Sequence, residues 1–476
     1  MRPPPPPQAA TDSSRAGGAW TTAPASPQAP AAAGFAARRD RLVAELAADA
    51  GGAAVRLGKS TSNLFRDRDE APRRRLDVRE FNHVLAVDPA AGWVDVEGMT
   101  PYAALVDATL AHGAMPCVVP QLKSITIGGA VAGIGIESSS FRRGLVHESV
   151  LELEVLTGSG EVVIARPDNE HRELFRGFPN SYGTLGYALR VKAKTAPVKP
   201  YVRLEHVHHA DPAAFFDNLA AACASGPDFV DGVVFGQNEL VTTVGRFVDV
   251  APYTSDYTYE RIYYRSLRTR EEDYLTAHDY LWRWDTDWFW CSKNLGAQNP
   301  VVRRLLGRRR LNSIFYTRVM RWNSRVGLTR WLDRVAGRHP ESVIQDIDVP
   351  IERAGEFLDF FLREIGILPV WICPFRAADP GAAWPLYPVK PGTLYVNFGF
   401  WDVVRAREAH PPGHFNRLVE RKVTELGGIK SLYSDSYFER EEFWRIYDER
   451  AYDALKARYD PNGRLQGLYE KCVLRH

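Results

Sequence analysis

The stretch from Ser124 to Ser140 reads SITIGGAVAGIGIESSS and carries glycine at positions 128, 129, 133 and 135. Because glycine has no Cβ, this run leaves the main chain bare. Such a run is typical of a tight turn, of two chain segments in close approach, or of a ligand lying against the backbone. It limits the possible folds more than any other feature of the chain, and the remaining sequence has to distinguish these three explanations.

The overall composition limits the class of protein. A chain of 476 residues is too long for one compact core, so two or three domains are expected. Its formal net charge of +2 argues against general nucleic-acid binding. Its five cysteines are scattered without a CxxC pair, which indicates reduced thiols and neither a disulfide framework nor a metal site. No apolar run approaches the roughly 18 residues that span a bilayer, and the arginine bias favours a bacterial source.

The chain divides into four regions by composition. Residues 1–34 are rich in proline and alanine and are predicted to be a disordered tail. Residues 35–200 alternate short strands, helices and glycine turns, with predicted hairpins over 84–97 and 150–165. Residues 201–425 are dense in aromatic side chains and are expected to form a substrate domain around an apolar pocket. Residues 426–476 are helical and charged. The pattern predicts an α+β fold and not a doubly wound sheet.

Two common nucleotide-binding motifs fail on this sequence. A Rossmann fingerprint requires G-x-G-x-x-G, but Gly133-Ile134-Gly135 is followed by Ser138 at the third position. Gly58-Lys59-Ser60 imitates the end of a P-loop, but the glycine required five residues earlier is replaced by Ala53. Neither motif explains the glycine-rich stretch.

Three segments rich in small residues support another interpretation. Residues 55–65 read VRLGKSTSNLF, a strand that enters a turn whose N–H groups and hydroxyls suit a diphosphate. The glycine-rich stretch comes next, and residues 181–186 read SYGTLG. With these spacings the three segments resemble the FAD-binding domain of the vanillyl-alcohol oxidase and p-cresol methylhydroxylase superfamily.

That resemblance implies a specific architecture and a cofactor. It implies a two-subdomain p-cresol methylhydroxylase-type FAD-binding domain, an α+β substrate domain and a C-terminal helical segment that returns to the flavin. The bare main chain would then make room for FAD. Residues 55–65 lack the histidine that tethers FAD in many relatives, and residues 124–144 lack cysteine, so noncovalent FAD is expected. The expected cofactor-binding residues are Gly58, Lys59, Ser60, Thr61, Ser62, Asn63, Gln121, Ser124, Thr126, Gly128, Gly129, Gly133, Gly135, Ser138, Ser139, Glu148, Gly183, Thr184, Leu185 and Gly186.

Four further segments narrow the resemblance to the Δ24-sterol reductases, flavoproteins that reduce an isolated carbon–carbon double bond in a lipid. They are IGIESSS (134–140), VWICPF (370–375), GGIKSLYSDSY (427–437) and REEFW (440–444). The eukaryotic sterol enzymes have an N-terminal membrane segment where this chain has its proline- and alanine-rich tail. TSNLFR (61–66) and WRWDTDWFWCS (282–292) are more similar to bacterial relatives that reduce a methylene group on a fatty acyl chain.

The resemblance therefore implies, as a first expectation, that NADPH is used to reduce a methylene-fatty-acyl phospholipid chain to a methyl branch. A methyltransferase that supplies the methylene lipid is then an expected partner. A Δ24-sterol side-chain reductase and a flavin-dependent alcohol or sugar oxidase or dehydrogenase remain alternatives. A lipid-binding or nucleic-acid-binding protein without catalysis is the alternative from a different class.

Reduction of an isolated alkene requires an acid. Because no carbonyl accepts electron density, one carbon must be protonated while hydride reaches the other, in a pocket that excludes water. The candidates are Glu137, beside the glycines, and Tyr433 and Tyr437, in the segment expected to return to the flavin. Each also has an ordinary structural explanation, as a core tyrosine or as a hydrogen-bonding partner of the cofactor.

A basic segment suggests how the protein reaches a lipid. Residues 298–332 contain nine arginines and no acidic residue, interleaved with apolar side chains. This pattern predicts docking on an anionic membrane surface, peripheral on the inner face and reached from the cytoplasm, with no nucleic acid bound. A solvated basic face paired with acids elsewhere in the fold is the alternative. The residues expected at the membrane are Arg303, Arg304, Arg308, Arg309, Arg310 and Trp322.

Overall fold

A computed structural model describes residues 29–48, 54–59, 73–326 and 337–475. The helices are α1 (Ala29–Ala47), α2 (Tyr102–Leu110), α3 (Ile127–Ala132), α4 (Ser140–Arg143), α5 (Arg172–Gly177), α6 (Pro212–Ala224), α7 (Tyr263–Ser266), α8 (Ala277–Leu281), α9 (Pro300–Leu306), α10 (Ser313–Val326), α11 (Ala354–Glu364), α12 (His414–Glu425), α13 (Arg440–Ile446) and α14 (Glu449–Tyr459). The strands are β1 (Val55–Gly58), β2 (Arg74–Asp77), β3 (Val84–Asp88), β4 (Trp93–Glu97), β5 (Ala114–Pro116), β6 (Val150–Leu156), β7 (Val162–Ala165), β8 (Tyr187–Pro197), β9 (Tyr201–His209), β10 (Phe229–Gly236), β11 (Glu239–Val248), β12 (Glu272–Thr276), β13 (His339–Pro350), β14 (Val370–Phe375), β15 (Tyr395–Ala406) and β16 (Ile429–Lys430). The mixture of helices and sheets is the predicted α+β class.

The N-terminal half is built on an antiparallel sheet of order β3-β4-β8-β6-β7, with β5 paired to β8. Both predicted hairpins are confirmed, since β3 pairs with β4 and β6 pairs with β7. Alternating apolar residues place Val94 and Val96 of β4 in the core. Strands β1 and β2 form a separate parallel pair, which helix α1 covers with Phe35, Leu42 and Leu46.

The structure corrects one expectation about the start of this half. The predicted disordered tail overlaps α1, because residues 29–34 are helical, and its remainder lies outside the described residues. Helix α2 has no side-chain cap, and the hydroxyl of the nearby Thr100 donates to the carbonyl of His83 at 3.2 Å. Pro101 is the N-cap in extended conformation and bridges to Thr126, so the helix begins at Tyr102. That bridge places the start of α2 next to Thr126 in the glycine-rich stretch.

The second half is built on an antiparallel sheet of order β12-β9-β11-β10-β14-β15-β13-β16. One face is covered by α6, α11 and α12, and its core includes Phe215, Phe357 and Val419. Because successive side chains alternate between faces, β13 sends Val343 and Ile347 into that core and Asp346 to the opposite face. The opposite face looks toward the glycine-rich stretch.

The C-terminal segment is fastened to the first half. The Lys456 Nζ donates to the carbonyl of Thr184 at 2.9 Å, and the Lys471 Nζ donates to that of Tyr182 at 2.6 Å. The hydroxyl of Tyr182 lies 3.0 Å from that of Ser431. The C-terminal segment therefore forms a third side of the cavity that lies between the two halves.

Within the described ranges, no helix is both long enough and apolar enough to cross a membrane.

Candidate active site

A deep cavity lies between the two large sheets. Its walls come from β1, from residues 120–136, from residues 178–188, from the aromatic segment 288–291 and from the C-terminal segment. Strands β13, β14 and β15 contribute Asp346, Trp371 and Trp401. The cavity therefore joins a wall of bare main chain to a wall of aromatic side chains.

The glycine wall lies where the sequence predicts it, but the physical reason differs from the expected one. A Cβ on Gly128 would stand 2.7 Å from the carbonyl oxygen of Gly98, and one on Gly135 would stand 2.7 Å from Val146. These positions exclude side chains because protein packs behind them, which corrects the expectation that ligand space alone explains the run. Gly129 differs, since it is exposed to the cavity and its added Cβ would meet only the Thr126 hydroxyl, at 2.8 Å.

Unusual backbone conformations concentrate around the cavity. Seven described non-glycine residues have positive φ, and five of them line it. A β-branched residue such as Ile134, at φ 57°, costs about 1–3 kcal/mol in this conformation, and packing must compensate the cost. The five are Ile134, Tyr182, Trp288, Phe289 and Arg475. Strain of this kind is typical of ligand-binding and catalytic sites.

Three polar side chains on the cavity wall fit a large polar ligand. Both amide atoms of Gln121 are buried without a hydrogen-bonding partner among the described residues, as are Gln466 Nε2 and Arg56 Nε. A buried polar atom left unpaired costs about 1–3 kcal/mol. Their presence around one cavity suits a ligand with its own donors and acceptors, such as the heteroatoms of a flavin nucleotide.

The aromatic wall forms the opposite, apolar part of the cavity. Phe289 packs against both Trp371 and Trp401, with ring centroids 5.4 and 4.5 Å away. Its ring also stacks on Trp284 at 5.0 Å. The amide of Phe289 donates to the carbonyl of Trp284 at 2.8 Å, which fixes the turn. This wall suits an apolar substrate from which water is excluded.

An acid lies where the two walls meet. Trp401 Nε1 donates a 2.7 Å hydrogen bond to the hydroxyl of Tyr433, and Tyr433 is hydrogen-bonded to Asp346. Burial, reinforced by the negative charge of Asp348, raises the pKa of Asp346 to about 8. At neutral pH the Asp346 carboxyl is therefore mostly protonated. Burial also raises the pKa of Tyr433 well above its usual value.

Tyr433 is the one candidate acid from the sequence that lines the cavity. Tyr437 is half-buried against Gly413, Arg417 and the cavity-lining Arg475, and it does not itself line the cavity. The structure thus distinguishes Tyr433, which lines the cavity, from Tyr437, which does not, whereas the sequence favoured neither as the acid.

Glu137 belongs to a buried ionic cluster beneath the site. Its carboxylate accepts from Ser138 and, at 3.3 Å, from Arg283, which also donates to Asp231 at 2.8 Å. Burial raises the pKa of Glu137 to about 7, and the positive charge of Arg283 opposes the rise. One carboxylate oxygen has no partner within the described structure. Glu137 does not line the cavity, and the remaining contacts of its carboxylate lie within this cluster.

The predicted cofactor-binding residues fall into three groups. Those on the cavity wall are Lys59, Gln121, Ser124, Thr126, Gly128, Gly129, Gly133, Gly135, Gly183 and Gly186. Those elsewhere are Gly58, Ser138, Ser139, Glu148, Thr184 and Leu185. Residues Ser60, Thr61, Ser62 and Asn63 lie outside the described residues.

The residues placed elsewhere have other partners. The hydroxyl of Ser139 donates to the carbonyl of Cys117, and that of Thr184 donates to the carbonyl of Ser181. Glu148 accepts from the amides of Leu145 and Ala378, each at 2.8 Å. Ser138 joins the Glu137 cluster, Leu185 is core, and Gly58 packs on β2. These residues therefore have structural contacts and do not line the described cavity, and their contact with the cofactor stays a prediction.

Sequence reasoning missed Asp346. Asp346 lies in the stretch SVIQDIDVP, whose apolar–polar alternation is typical of a strand with one solvated face. The polar face turns instead toward the cavity. The dense aromatics of residues 201–425, in contrast, predicted an apolar pocket, and Trp288, Phe289, Trp371 and Trp401 line the cavity.

Comparison with known proteins agrees with this geometry. Residues 41–166 match a family described as an FAD binding domain. The chain is 25% identical over 440 residues to a Delta(24)-sterol reductase of Arabidopsis thaliana, covering 83% of this chain and 76% of that relative. It is 26% identical over 415 residues to the Delta(24)-sterol reductase of Homo sapiens, covering 82% and 75%. It is 32% identical over 409 residues to Cytokinin dehydrogenase 7 of Oryza sativa subsp. japonica, covering 78% and 72%.

Proposed function

Because this chain belongs to the superfamily of FAD-linked oxidoreductases, we propose that it reduces an isolated carbon–carbon double bond in the apolar chain of a lipid, with NADPH as the electron donor. The observation that carries this proposal is the acid formed by Asp346 and Tyr433 at the edge of an aromatic cavity wall. An alcohol oxidase needs a base at that position, whereas an alkene reductase needs a proton donor.

The residues on the glycine side hold the cofactor in this proposal. Gln121, Gln466 and Arg56 offer unpaired polar atoms to FAD, and the exposed main chain of Gly129 allows its close approach. When bound and reduced, FAD supplies a hydride to one alkene carbon. The Trp288–Phe289 turn and Trp401 exclude water from the same space.

The residues on the acid side move the proton. The Tyr433 hydroxyl gives its proton to the second alkene carbon and takes one from the Asp346 carboxyl. The bond from Trp401 Nε1 occupies a lone pair of the Tyr433 oxygen and so directs its proton away from the indole. One hydride and one proton add across the double bond, and solvent restores the proton to Asp346.

The substrate that the comparisons favour is a sterol-type side chain. Relatives called Delta(24)-sterol reductases align over about four-fifths of this chain, whereas no comparison points to the methylene-fatty-acyl chain that the sequence suggests first. We therefore propose the sterol-type alkene ahead of the fatty acyl methylene group. Both substrates place an isolated alkene on an apolar chain, so the same residues serve either one.

The test is a comparison of substrates under anaerobic conditions. Enzyme reduced with NADPH is mixed with a Δ24-unsaturated sterol or with a methylene-fatty-acyl phospholipid, and flavin reoxidation and lipid mass are measured. A gain of two hydrogens by the sterol and not by the phospholipid supports the proposal. Reoxidation by oxygen or by a quinone, with neither lipid reduced, would instead support a dehydrogenase, which the similarity to Cytokinin dehydrogenase 7 makes the second candidate.

A further inference from the structure

The surface formed by α9, α10 and the turn between them exposes an unusual amount of apolar side chain. Six of the ten large hydrophobic residues that are exposed in the described structure lie between positions 301 and 322. They are Val301, Val302, Leu305, Ile314, Met320 and Trp322. Clusters of this kind mark interaction sites, because soluble proteins seldom leave contiguous apolar surface in water.

The apolar residues follow helical stripes. Val301 and Leu305 are four residues apart on α9 and are 67% and 77% exposed. On α10, Ile314, Arg318 and Trp322 are spaced by four residues and all are exposed. Each stripe therefore presents a continuous ridge, and the ridge on α10 alternates apolar and basic groups.

The charge of the α9–α10 surface is positive. Arg304, Arg308, Arg309, Arg310 and Arg318 are exposed there. Arg304 lies 3.5 Å from Glu260, and Arg308 lies 2.8 Å from Asp256. Arg309, Arg310 and Arg318 have no carboxylate partner among the described residues. Three such charges beside exposed apolar side chains match an anionic surface with an apolar interior.

Arg303 corrects part of the expectation from the sequence. It is buried, and its guanidinium makes an ion pair with both oxygens of Asp287 while donating to the carbonyl of Tyr259. It therefore anchors α9 to the aromatic segment and is not available to a membrane. The remaining predicted docking residues are exposed.

The α9–α10 surface is tied to the cavity. The Tyr316 hydroxyl donates to the carbonyl of Thr286 at 2.9 Å, and its ring stacks on Trp288 at 6.5 Å. The Ser313 hydroxyl donates to Asp285. A lipid surface held by α9 and α10 would thus adjoin the segment whose residues Trp288 and Phe289 line the cavity.

We propose that the α9–α10 surface docks on an anionic lipid bilayer, with arginines at the headgroups and Leu305 and Trp322 in the interface. A bilayer suits this surface better than nucleic acid, because exposed leucine, isoleucine and valine gain nothing from a phosphate backbone but lose their contact with water in a membrane. Entry of the substrate from the bilayer beside Trp288 rests on the proposed function, whereas the docking does not.

The first test measures vesicle binding by the full-length flavoprotein. Vesicles of phosphatidylglycerol and phosphatidylcholine should bind it, pure phosphatidylcholine should bind it far less, and added salt should weaken binding. The triple variant Arg309→Gln, Arg310→Gln, Arg318→Gln should bind about 100-fold more weakly, taking roughly fivefold for each arginine. The control triple Arg421→Gln, Arg445→Gln, Arg450→Gln removes three exposed arginines elsewhere and should bind as the native protein does.

The apolar contribution has its own matched pair. Leu305→Ser should weaken vesicle binding, whereas Val250→Ser, at a residue equally exposed at 77%, should not. Equal binding by native protein and both α9–α10 variants, or no binding of native protein to anionic vesicles, would overturn the proposal. So would binding of a DNA duplex in preference to vesicles.

A turnover measurement separates docking from catalysis. The native protein and the arginine triple variant should reduce detergent-dispersed substrate at the same rate. With vesicle-embedded substrate, the variant should be slower than the native protein. If neither form of lipid is reduced but vesicle binding follows the pattern above, the proposed function fails and the docking surface stands. If the variant turns over vesicle-embedded substrate as fast as native protein, entry through this surface is wrong.

Discussion

The indole nitrogen of Trp401 donates a 2.7 Å hydrogen bond to the hydroxyl of Tyr433, and Tyr433 is also hydrogen-bonded to Asp346. Trp401 comes from β15, Asp346 from β13 and Tyr433 from the C-terminal segment. The proposed proton donor is therefore assembled from three parts of the chain, and this arrangement exists only in the folded protein. Its predicted behaviour can be measured one residue at a time.

Removal of the Tyr433 hydroxyl should separate the two half-reactions. Tyr433→Phe should reduce its flavin with NADPH at the native rate but slow reoxidation by lipid by about 100-fold, because proton transfer contributes about that much. Tyr437→Phe is the matched control, since Tyr437 does not line the cavity, and it should leave both rates unchanged. Stopped-flow absorbance of the flavin measures both. A loss confined to Tyr437→Phe would assign the acid to Tyr437.

The acid should also set the pH profile of lipid reduction. The pKa of Asp346 is raised to about 8, chiefly by burial, and the protonated form is the active one. The rate should be level below that value and fall as the pH rises through about 8. Asp346→Asn cannot supply a proton, so it should have a low rate without this pH dependence. A native profile that rises with pH in this range would contradict the assignment.

Two neighbouring glycines should respond differently to substitution. At Gly128 a new Cβ lies 2.7 Å from the backbone oxygen of Gly98, so Gly128→Ala should lower the free energy of unfolding by about 1–3 kcal/mol. Gly129 faces the cavity, so Gly129→Val should fold but bind little FAD. Chemical denaturation and the flavin-to-protein absorbance ratio test the pair. Full flavin content in Gly129→Val would show that the cofactor does not pass this residue.

Acid precipitation tests how the cofactor is held. Noncovalent FAD remains a prediction, and it is expected to appear intact in the supernatant, leaving a colourless pellet. Flavin that stays with the denatured chain would mean that a covalent bond forms. Mass spectrometry of peptides would then locate it.

The buried ionic cluster should matter for stability. Arg283→Met would leave Glu137 and Asp231 without their shared cation, at a cost of about 3–5 kcal/mol in the free energy of unfolding.

The folded-state pKa of Glu137 is raised to about 7 from a usual 4.5. The stability that the protonated Glu137 carboxyl contributes to the folded state is therefore fully present below about pH 4.5 and is lost as the pH rises through about 7. Glu137→Gln should lose less stability between pH 5 and pH 8 than native protein does, in denaturation measured at each pH.

The sequence alone determined the local elements and the cofactor class. Hairpins 84–97 and 150–165 follow from alternating side chains and turn residues that lie close together in the chain. The glycine-rich stretch predicts a bare cavity wall, because the absence of a Cβ is a property of the residue itself. The small-residue segments around it were enough to indicate FAD, and the matched FAD binding domain confirms that prediction.

Tertiary structure decided everything that depends on distant residues meeting. Asp346 reads as one polar position in an alternating strand. Its pKa is raised because the fold buries that face of β13, and the charge of Asp348 adds to the rise while the hydrogen bond with Tyr433 opposes it. Arg303 looks identical to Arg304 in the sequence, yet Asp287 holds it inside while Arg304 faces solvent. Burial and charge pairing depend on which segments pack together, and local sequence patterns cannot specify those partners.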